Sequence, residues 1–299
     1  MTHKHGPLEW AMLLTLTVLW GSAFTLTKVA VSGLPAALVV AGRLYVAAML
    51  LIPVALALRH RPRTTPRLWM FMVLIAVFGY ALPFSLVSWG QRFIESGVAG
   101  ILMAVMPLAT LGLAHWLIPG ERITRYRIGG FLSGFSGVVV LMGPSAWHAL
   151  MNGETQILPM LAVLAGAISY AVSSILARLR PRSDARFTAA ATISIAAVLM
   201  TPSALSGVES VAVLEIARSE LIAVGLLGIF STALAAIVYF RLVTVAGPAF
   251  VSQLNYLIPL WAVGSGIFFL HERPEPNHLY ALALILGGIL ITQLEHLRR

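Results

Sequence analysis

The residues of this chain with the chemistry to bind a small molecule are aromatic and small polar side chains that recur at helical spacing. Side chains three or four positions apart share one face of a helix. The faces comprise Thr17, Trp20, Phe24 and Lys28; Tyr80, Phe84 and Ser88; Ser169, Tyr170, Ser173 and Ser174; Ser252, Asn255, Tyr256 and Pro259; and, on a further helix, Tyr239 alone. Any one aromatic would equally serve in packing or in an interfacial belt. Together they predict a mixed aromatic and polar cavity for amphipathic molecules.

Arg43 is the most unusual charge in the sequence. It follows Pro35 by eight positions, which places it roughly 12 Å into a hydrocarbon core of about 30 Å. A charge at that depth costs at least about 2.5 kcal/mol, so it needs a wet cavity or protein partners. Two roles follow and both stay open: a contact to a substrate carboxylate, or a clamp onto backbone carbonyls of a neighbouring helix.

The acidic residues near the apolar stretches, Glu95, Glu121, Glu220 and Glu272, all fall at the ends of spans. Proton-driven transporters typically carry a titratable group inside the membrane. Facilitated diffusion is therefore the simpler hypothesis, and proton-coupled drug or metabolite efflux is its alternative. His115 lies near a span end and is interpreted as an interfacial residue.

An enzymatic function rests on one short motif. The residues Gly134, Phe135, Ser136 and Gly137 resemble the GxSG of intramembrane serine proteases, which need a histidine to activate the serine. The candidate is His115 in the fourth predicted span, which is poorly placed for that role. With no cysteine, no zinc motif and no phosphate-binding loop, we predict no catalytic residue, no metal and no cofactor.

The elements that position these residues follow from composition. The chain has 299 residues, of which 59% are hydrophobic and only 10% charged, whereas soluble domains carry about 25% charged residues. This is an all-α membrane protein whose partners are the lipid bilayer and a small-molecule substrate. The net charge of +9 is spread over short loops, which excludes a nucleic-acid-binding face.

Ten apolar stretches approach the roughly 20 residues that a spanning helix needs. They are 8–31, 35–58, 68–89, 93–117, 124–142, 157–178, 186–204, 219–243, 248–270 and 276–294. Segments on the side of the N-terminus hold fifteen Lys and Arg, against three on the other side. The positive-inside rule then places both termini in the cytoplasm.

A stretch of the first half returns in the second. Residues 96–142 and 248–292 both read as an apolar helix with a proline, a short charged turn containing Gly-Glu-Arg or His-Glu-Arg, and a glycine-rich helix. The offset is about 151 positions, and five spans in each half invert one copy relative to the other. We predict a first repeat over 1–143, an external linker over 144–156 and an inverted repeat over 157–299, a design typical of secondary transporters.

Prolines and small residues complete the pattern. Pro83, Pro107 and Pro259 at mid-span predict hinges or static kinks around a central space. Gly129, Ser133 and Gly137 in the fifth span, and Ala283 and Gly287 in the tenth, form small-xxx-small faces. These faces predict scaffold packing in a monomer, with a dimer through the same faces as the alternative.

Three motifs carry a family resemblance: WGSAF at 20–24, PGERIT at 119–124 and HERPEP at 271–276. They resemble the paired EamA-type domains of the drug/metabolite transporter superfamily over essentially the whole chain. The resemblance implies a ten-helix exporter of the bacterial inner membrane, usually for amino acids or related metabolites. A branch of this family exports aromatic amino acids, and no single motif here assigns the branch.

We therefore predict a secondary transporter that exports neutral amino acids, aromatic ones included, or related small metabolites, by alternating access. Its cavity is predicted between spans one, three, four, six, eight and nine. The predicted substrate contacts are Trp20, Phe24, Arg43, Tyr80, Phe84, Ser88, Met103, Tyr170, Tyr239, Asn255 and Tyr256.

Overall fold

The structure is a computed structural model that describes residues 6–57, 64–118, 124–151, 157–208 and 217–297. Within these ranges every regular element is helical and no strand occurs. The elements are α1 Pro7–Ala30, α2 Ala36–Leu56, α3 Pro66–Ala76, π1 Val77–Ala81, α4 Leu82–Gly90, α5 Ser96–Met103, α6 Met106–Leu117, α7 Arg125–Met151, α8 Leu158–Leu179, α9 Ala185–Val208, α10 Arg218–Leu226, π2 Leu227–Leu234, α11 Ala235–Val251, α12 Leu254–Leu270 and α13 Pro276–Leu297.

Seven helices of the described ranges are long and apolar enough to cross a membrane. Three shorter apolar helices cover Ile128–Leu141, Leu254–Leu270 and Pro276–Ile291. Helices satisfy all their backbone hydrogen bonds within one segment, which suits a chain with so little polar surface. The ten predicted spans coincide with these seven and three helices; that all ten cross the bilayer stays a prediction.

Several predicted spans are interrupted. The fourth breaks at Ala104–Val105, so that Pro107 lies at the start of α6, where a missing N–H costs no helical hydrogen bond. The third and eighth spans contain the π-helical segments π1 and π2. Gly247 interrupts α11 with a positive φ of 79°, a conformation that glycine adopts without steric cost.

The glycine-rich helices α7 and α13 pack closely on each other. A Cβ atom added to Gly137 would lie 2.9 Å from the carbonyl oxygen of Ala281, and one added to Gly288 would lie 2.5 Å from that of Gly130. Gly288 follows Gly137 by 151 positions, and Ala281 follows Gly130 by the same number. The two contacts are therefore related by the sequence offset of the two halves.

A hydrogen bond between these helices obeys the same relation. The Ser133 hydroxyl donates to the Leu284 carbonyl oxygen at 2.7 Å, and the two residues are 151 positions apart. The prediction for α7 agrees with this packing. The predicted face of α13 takes no part in this packing, because Ala283 is exposed and a Cβ on Gly287 would meet open space; a dimer through that face stays a prediction. Successive residues of a helix point about 100° apart, and the glycine that packs on α7 is the next one along, Gly288.

The predicted linker is partly helical, since α7 continues to Met151. The turn that contains Glu121 lies outside the described residues.

Candidate functional site

A cavity of about 460 Å³ lies in the centre of the helix bundle. This volume falls within the usual range of small-molecule sites, about 300–1,000 Å³. The predicted wall helices all contribute, as α1, α3–π1–α4, α5–α6, α8, π2–α11 and α12. Residues of α2 and α9 line it as well, and α9 was not predicted to do so.

Ten of the eleven predicted substrate contacts line this cavity. They are Trp20, Phe24, Arg43, Tyr80, Phe84, Ser88, Met103, Tyr170, Tyr239 and Asn255. Tyr256 does not line it, and packs instead against a core cluster formed around α5 and α13. Its hydroxyl is buried without a hydrogen-bond partner among the described residues.

Arg43 is buried in α2 and 6% exposed. Its Nε and Nη2 donate to the Thr232 hydroxyl at 3.3 and 3.1 Å, and its Cζ lies 3.8 Å from the centre of the Phe84 ring. In the described part of the chain no carboxylate pairs with it. Among the described residues it makes no hydrogen bond to a backbone carbonyl of a neighbouring helix, and the guanidinium is held by one neutral hydroxyl and an aromatic face.

Aromatic rings form a connected surface around this guanidinium. Phe84 contacts Tyr80 and Tyr170 with ring centres 5.8 and 6.3 Å apart, both edge to face. On another side of the cavity, Trp20 and Tyr239 lie 5.3 Å apart. Such contacts stabilise the rings in fixed orientations. The cavity therefore offers apolar walls beside one buried positive charge.

The π-helical segments place polar groups in the cavity wall. Thr232 lies in π2, and its hydroxyl donates to the carbonyl of Leu227 five positions earlier at 2.9 Å while it accepts from Arg43. Ser231 of the same segment donates to the Leu19 carbonyl of α1 at 2.8 Å. A π-helix leaves backbone carbonyls displaced from their α-helical partners and occurs frequently at functional sites. Thr232 and Ser231 were missed because nothing in composition marks a π segment.

The other π segment is held in a similar way. The Ser169 hydroxyl of α8 donates to the Phe78 carbonyl of π1 at 2.8 Å. A Cβ added to Gly79 would clash with the Ser173 hydroxyl oxygen, so α8 approaches π1 closely. Of the predicted α8 face, Tyr170, Ser173 and Ser174 line the cavity while Ser169 positions π1.

The WGSAF motif divides its residues between two tasks. Trp20 and Phe24, four positions apart, line the cavity. A Cβ added to Gly21 would lie 2.5 Å from Cδ1 of Trp261, and the Trp261 indole N–H donates to the Ser22 hydroxyl at 2.8 Å. The glycine and serine thus dock α1 on α12, and this fixes the two aromatic residues toward the cavity.

The three predicted hinge prolines differ in position. Pro107 and Pro259 line the cavity. Pro83 is buried directly after π1 and does not line it. A proline interior to α12 removes one helical hydrogen bond there. Their part as hinges stays a prediction.

Hydrogen bonds join the helices at the end of the cavity near Ser88. The Lys28 ammonium donates to the carbonyls of Gln91 and Ile94 at 2.8 and 2.9 Å, and the Gln91 amide donates to the Phe24 carbonyl at 2.9 Å. Lys28 and Thr17 were predicted on the Trp20 face, yet neither lines the cavity. Lys28 instead ties α1 to the turn between α4 and α5.

The second charged turn holds the same end of α5. Glu272 accepts hydrogen bonds from the backbone N–H of Ser96 at 2.6 Å and of Gly97 at 3.0 Å, so that its carboxylate caps the N-terminus of α5. Glu95 lies beside it, and burial followed by the charge of Glu272 raises the pKa of the Glu95 carboxyl.

Comparison with known proteins identifies the chain. It matches the EamA-like transporter family over residues 8–143 and 157–294. The chain belongs to this family. As an EamA-like transporter it is a multi-pass protein of the inner membrane.

Several relatives carry transporter or exporter names. It is 26% identical to the uncharacterized transporter YvbV of Bacillus subtilis, over 93% of this chain and 89% of that one. It is 27% identical to a probable terminal-alkyne amino-acid exporter of Streptantibioticus cattleyicolor, over 97% and 94%. A solved crystal structure with 21% identity superimposes with a TM-score of 0.64, covering 98% of this EamA-like transporter and 99% of that chain. This last likeness concerns the fold.

Proposed function

We propose that this EamA-like transporter exports amino acids, aromatic and other neutral ones, or related small metabolites across the bacterial inner membrane. Two inverted five-helix repeats would open the cavity to each side in turn, with both termini in the cytoplasm. The proposed mode is facilitated diffusion. No catalytic step is proposed.

The observation that carries this proposal is Arg43 in the cavity wall. A carboxylate partner stabilises a buried guanidinium, because the two groups form charge-assisted hydrogen bonds that offset the cost of burying the charge. In the described part of the chain it has a hydroxyl and an aromatic ring but no such partner. A solute with a carboxylate and an apolar or aromatic body would supply the missing anion and fill the aromatic walls.

The relation between α7 and α13 supports the two-repeat arrangement. The Ser133 to Leu284 hydrogen bond joins residues 151 positions apart. The segments π1 at 77–81 and π2 at 227–234 also overlap when shifted by that number. Symmetry-related contacts are what a pseudo-two-fold axis between two copies would produce.

The mode of transport is argued from the wall of the cavity. Among the described residues that line it there is no Asp, Glu or His to carry a proton. Glu95 and Glu272 lie near the N-terminus of α5, outside the cavity wall. Proton-coupled efflux is the alternative, and it would need one of these outlying groups.

The proteolytic alternative finds no support in the placement of Ser136. This residue lies on the exposed face of α7 and does not line the cavity. The glycine after it, Gly137, packs against α13, and Gly134 packs against Leu108. Close helix packing accounts for the motif.

Uptake by proteoliposomes that contain the purified transporter tests the proposal. Radiolabelled neutral amino acids should enter faster than into protein-free liposomes, and the rate should not depend on a pH gradient. Absence of flux for every amino acid would refute the substrate, and a required gradient would favour proton coupling. A serine-to-alanine change at Ser136 should leave the flux intact.

A further inference from the structure

A second arginine, Arg180, also lines the cavity. It follows the last residue of α8, where Ala177 is exposed and also lines the cavity. Thr188 of α9 lines the same end. We call this end, defined by Ala177, Arg180 and Thr188, the Arg180 mouth. In the sequence Arg180 is one of several loop arginines, and its position counts only toward membrane orientation.

The Arg180 guanidinium is held in place by neutral groups. Its Nη1 donates to the Pro181 carbonyl at 3.2 Å and to the Ser183 hydroxyl at 2.7 Å. The Ser183 hydroxyl is in turn 2.6 Å from that of Thr188. This network fixes the guanidinium at the mouth, and burial lowers the pKa of Arg180.

The acidic residue nearest in sequence is engaged elsewhere. The Asp184 carboxylate accepts from the backbone N–H groups of Arg186 and Phe187 at 2.8 and 3.3 Å, where it caps α9. It also pairs with the Arg186 side chain at 3.8 Å. In the described part of the chain no carboxylate lies within ion-pair distance of Arg180.

The charges of the cavity are therefore of one sign. Of the described residues that line it, Arg43 and Arg180 are the charged ones, and both are positive. Both arginines attract an anionic solute, whereas the ammonium group of a solute has no carboxylate to pair with among these residues. Burying a charge without a partner is costly, and a one-sign cavity concentrates ions of opposite sign.

The two arginines lie at different depths. Tyr170, which contacts the ring that stacks on Arg43, precedes Arg180 by ten positions on α8 and its end. At 1.5 Å per residue this separates the two levels by roughly 15 Å. A carboxylate that enters at the Arg180 mouth would therefore meet Arg180 before it reaches Arg43.

We propose that Arg180 captures the carboxylate of the transported solute at the mouth before Arg43 binds it, and that the cavity prefers a net anion to a zwitterion or a cation of the same shape. This rests on the proposed export function: among the amino acids and related metabolites proposed there, it ranks amphipathic carboxylates without a free ammonium group above the zwitterionic amino acids. The excess of Lys and Arg on the Arg180 side predicts that this mouth faces the cytoplasm, where an exporter collects its solute.

Three probes with one indole body test the charge preference: N-acetyl-L-tryptophan, L-tryptophan and L-tryptophan amide, which at about pH 6.5 are an anion, a zwitterion and a cation. Binding to the full-length transporter in detergent is measured by calorimetry, and transport is measured in proteoliposomes. We expect the anion to bind at least tenfold more tightly than the amide, with L-tryptophan between them. Equal affinities, or tightest binding of the amide, would overturn the preference.

Arg180→Gln tests the capture role, with Arg182→Gln as the matched control because Arg182 is exposed, lies two positions away and does not line the cavity. Arg180→Gln should raise the Kd and KM of N-acetyl-L-tryptophan about tenfold, Arg180→Lys should restore part of the loss, and Arg182→Gln should change neither. Equal effects of the two glutamine variants would show a general surface-charge effect and refute capture. Charge-dependent binding without any transport would instead refute the proposed function and leave the binding site standing.

Discussion

The guanidinium carbon of Arg43 lies 3.8 Å from the centre of the Phe84 ring, so a buried cation of α2 stacks on an aromatic residue of α4. The ring face attracts the cation, and an Arg guanidinium suits such stacking because it is planar. The stack leaves the guanidinium edge available to hydrogen-bond acceptors, of which Thr232 is one. A carboxylate bound at that edge would complete the site.

Arg43→Gln should weaken binding of a carboxylate probe roughly 10- to 100-fold, because a hydrogen bond to a charged group contributes about 1.5–3 kcal/mol. Arg43→Lys should recover only part of the affinity, since an ammonium can neither stack flat on the Phe84 ring nor form two parallel hydrogen bonds to a carboxylate. Calorimetry on both variants provides the measurement. Unchanged affinity with a lowered Tm would assign Arg43 a structural role alone.

Asn255 and Tyr256 are neighbours in sequence and form a matched pair. Asn255→Ala should raise the KM for transport roughly two- to tenfold, since Asn255 lines the cavity and a hydrogen bond contributes about 0.5–1.5 kcal/mol. Tyr256→Phe should leave transport unchanged and raise the Tm, because it removes a buried hydroxyl that has no partner in the described structure. The reverse pattern would assign substrate contact to Tyr256.

Gly288 and Gly287 give a second pair, now for stability. Gly288→Ala should destabilise the protein by about 1–3 kcal/mol, since the new Cβ would lie 2.5 Å from the Gly130 carbonyl oxygen and α7 must move. Gly287→Ala meets open space and should stabilise α13 by up to about 1 kcal/mol. Thermal unfolding in detergent reports both, and a similar Tm for the two variants would contradict the packing described.

Glu272→Ala should loosen the start of α5, because the backbone N–H groups of Ser96 and Gly97 lose their acceptor. The expected loss of stability is about 1 kcal/mol, the usual contribution of an N-terminal cap. Hydrogen exchange of residues 96–103 should accelerate, while that of α9 should not. Glu275→Ala, at an exposed position of the same turn, serves as the control.

Glu95 should make stability depend on pH. Its pKa is raised by burial and then by Glu272, so the folded state keeps its proton over a pH interval in which the unfolded chain has already released it. Stability is then full below the unfolded pKa and falls as the pH rises through the folded pKa. Glu95→Gln should remove this fall when the Tm is followed from about pH 4 to about pH 8. A parallel fall in the variant would point to another group, and Glu9→Gln controls for the loss of one charge.

The sequence predicted the helices and most of the cavity lining for a physical reason. Long apolar runs must form helices in a membrane, and a four-residue spacing keeps Trp20 and Phe24 on one face wherever the helix is continuous. The prediction failed where continuity fails. The prediction assumed one continuous helix from Ser252, which places Asn255 and Tyr256 on the same face. The chain forms a turn at Ser252–Gln253, so α12 begins afresh at Leu254 and its faces do not continue that spacing.

Other features left no pattern to read. Arg180 follows a helix end and looks like any loop arginine, and only the approach of α9 shows that it lines the cavity. The choice between Gly287 and Gly288 depends on a rotation of about 100° that two adjacent glycines cannot reveal. Tertiary packing decides both cases.

The two π-helical segments have a mechanical consequence. Each has more residues per turn than the α-helix on either side, and the additional residue of each segment lies beside the cavity. If the π-helical segment shifts by one residue along the chain, one set of backbone hydrogen bonds replaces another. The residue that leaves or joins the segment then rotates about the helix axis by about 100°. Migration of a π-helical segment along its helix would therefore turn a residue such as Tyr80 or Thr232 out of the cavity wall without breaking the helix.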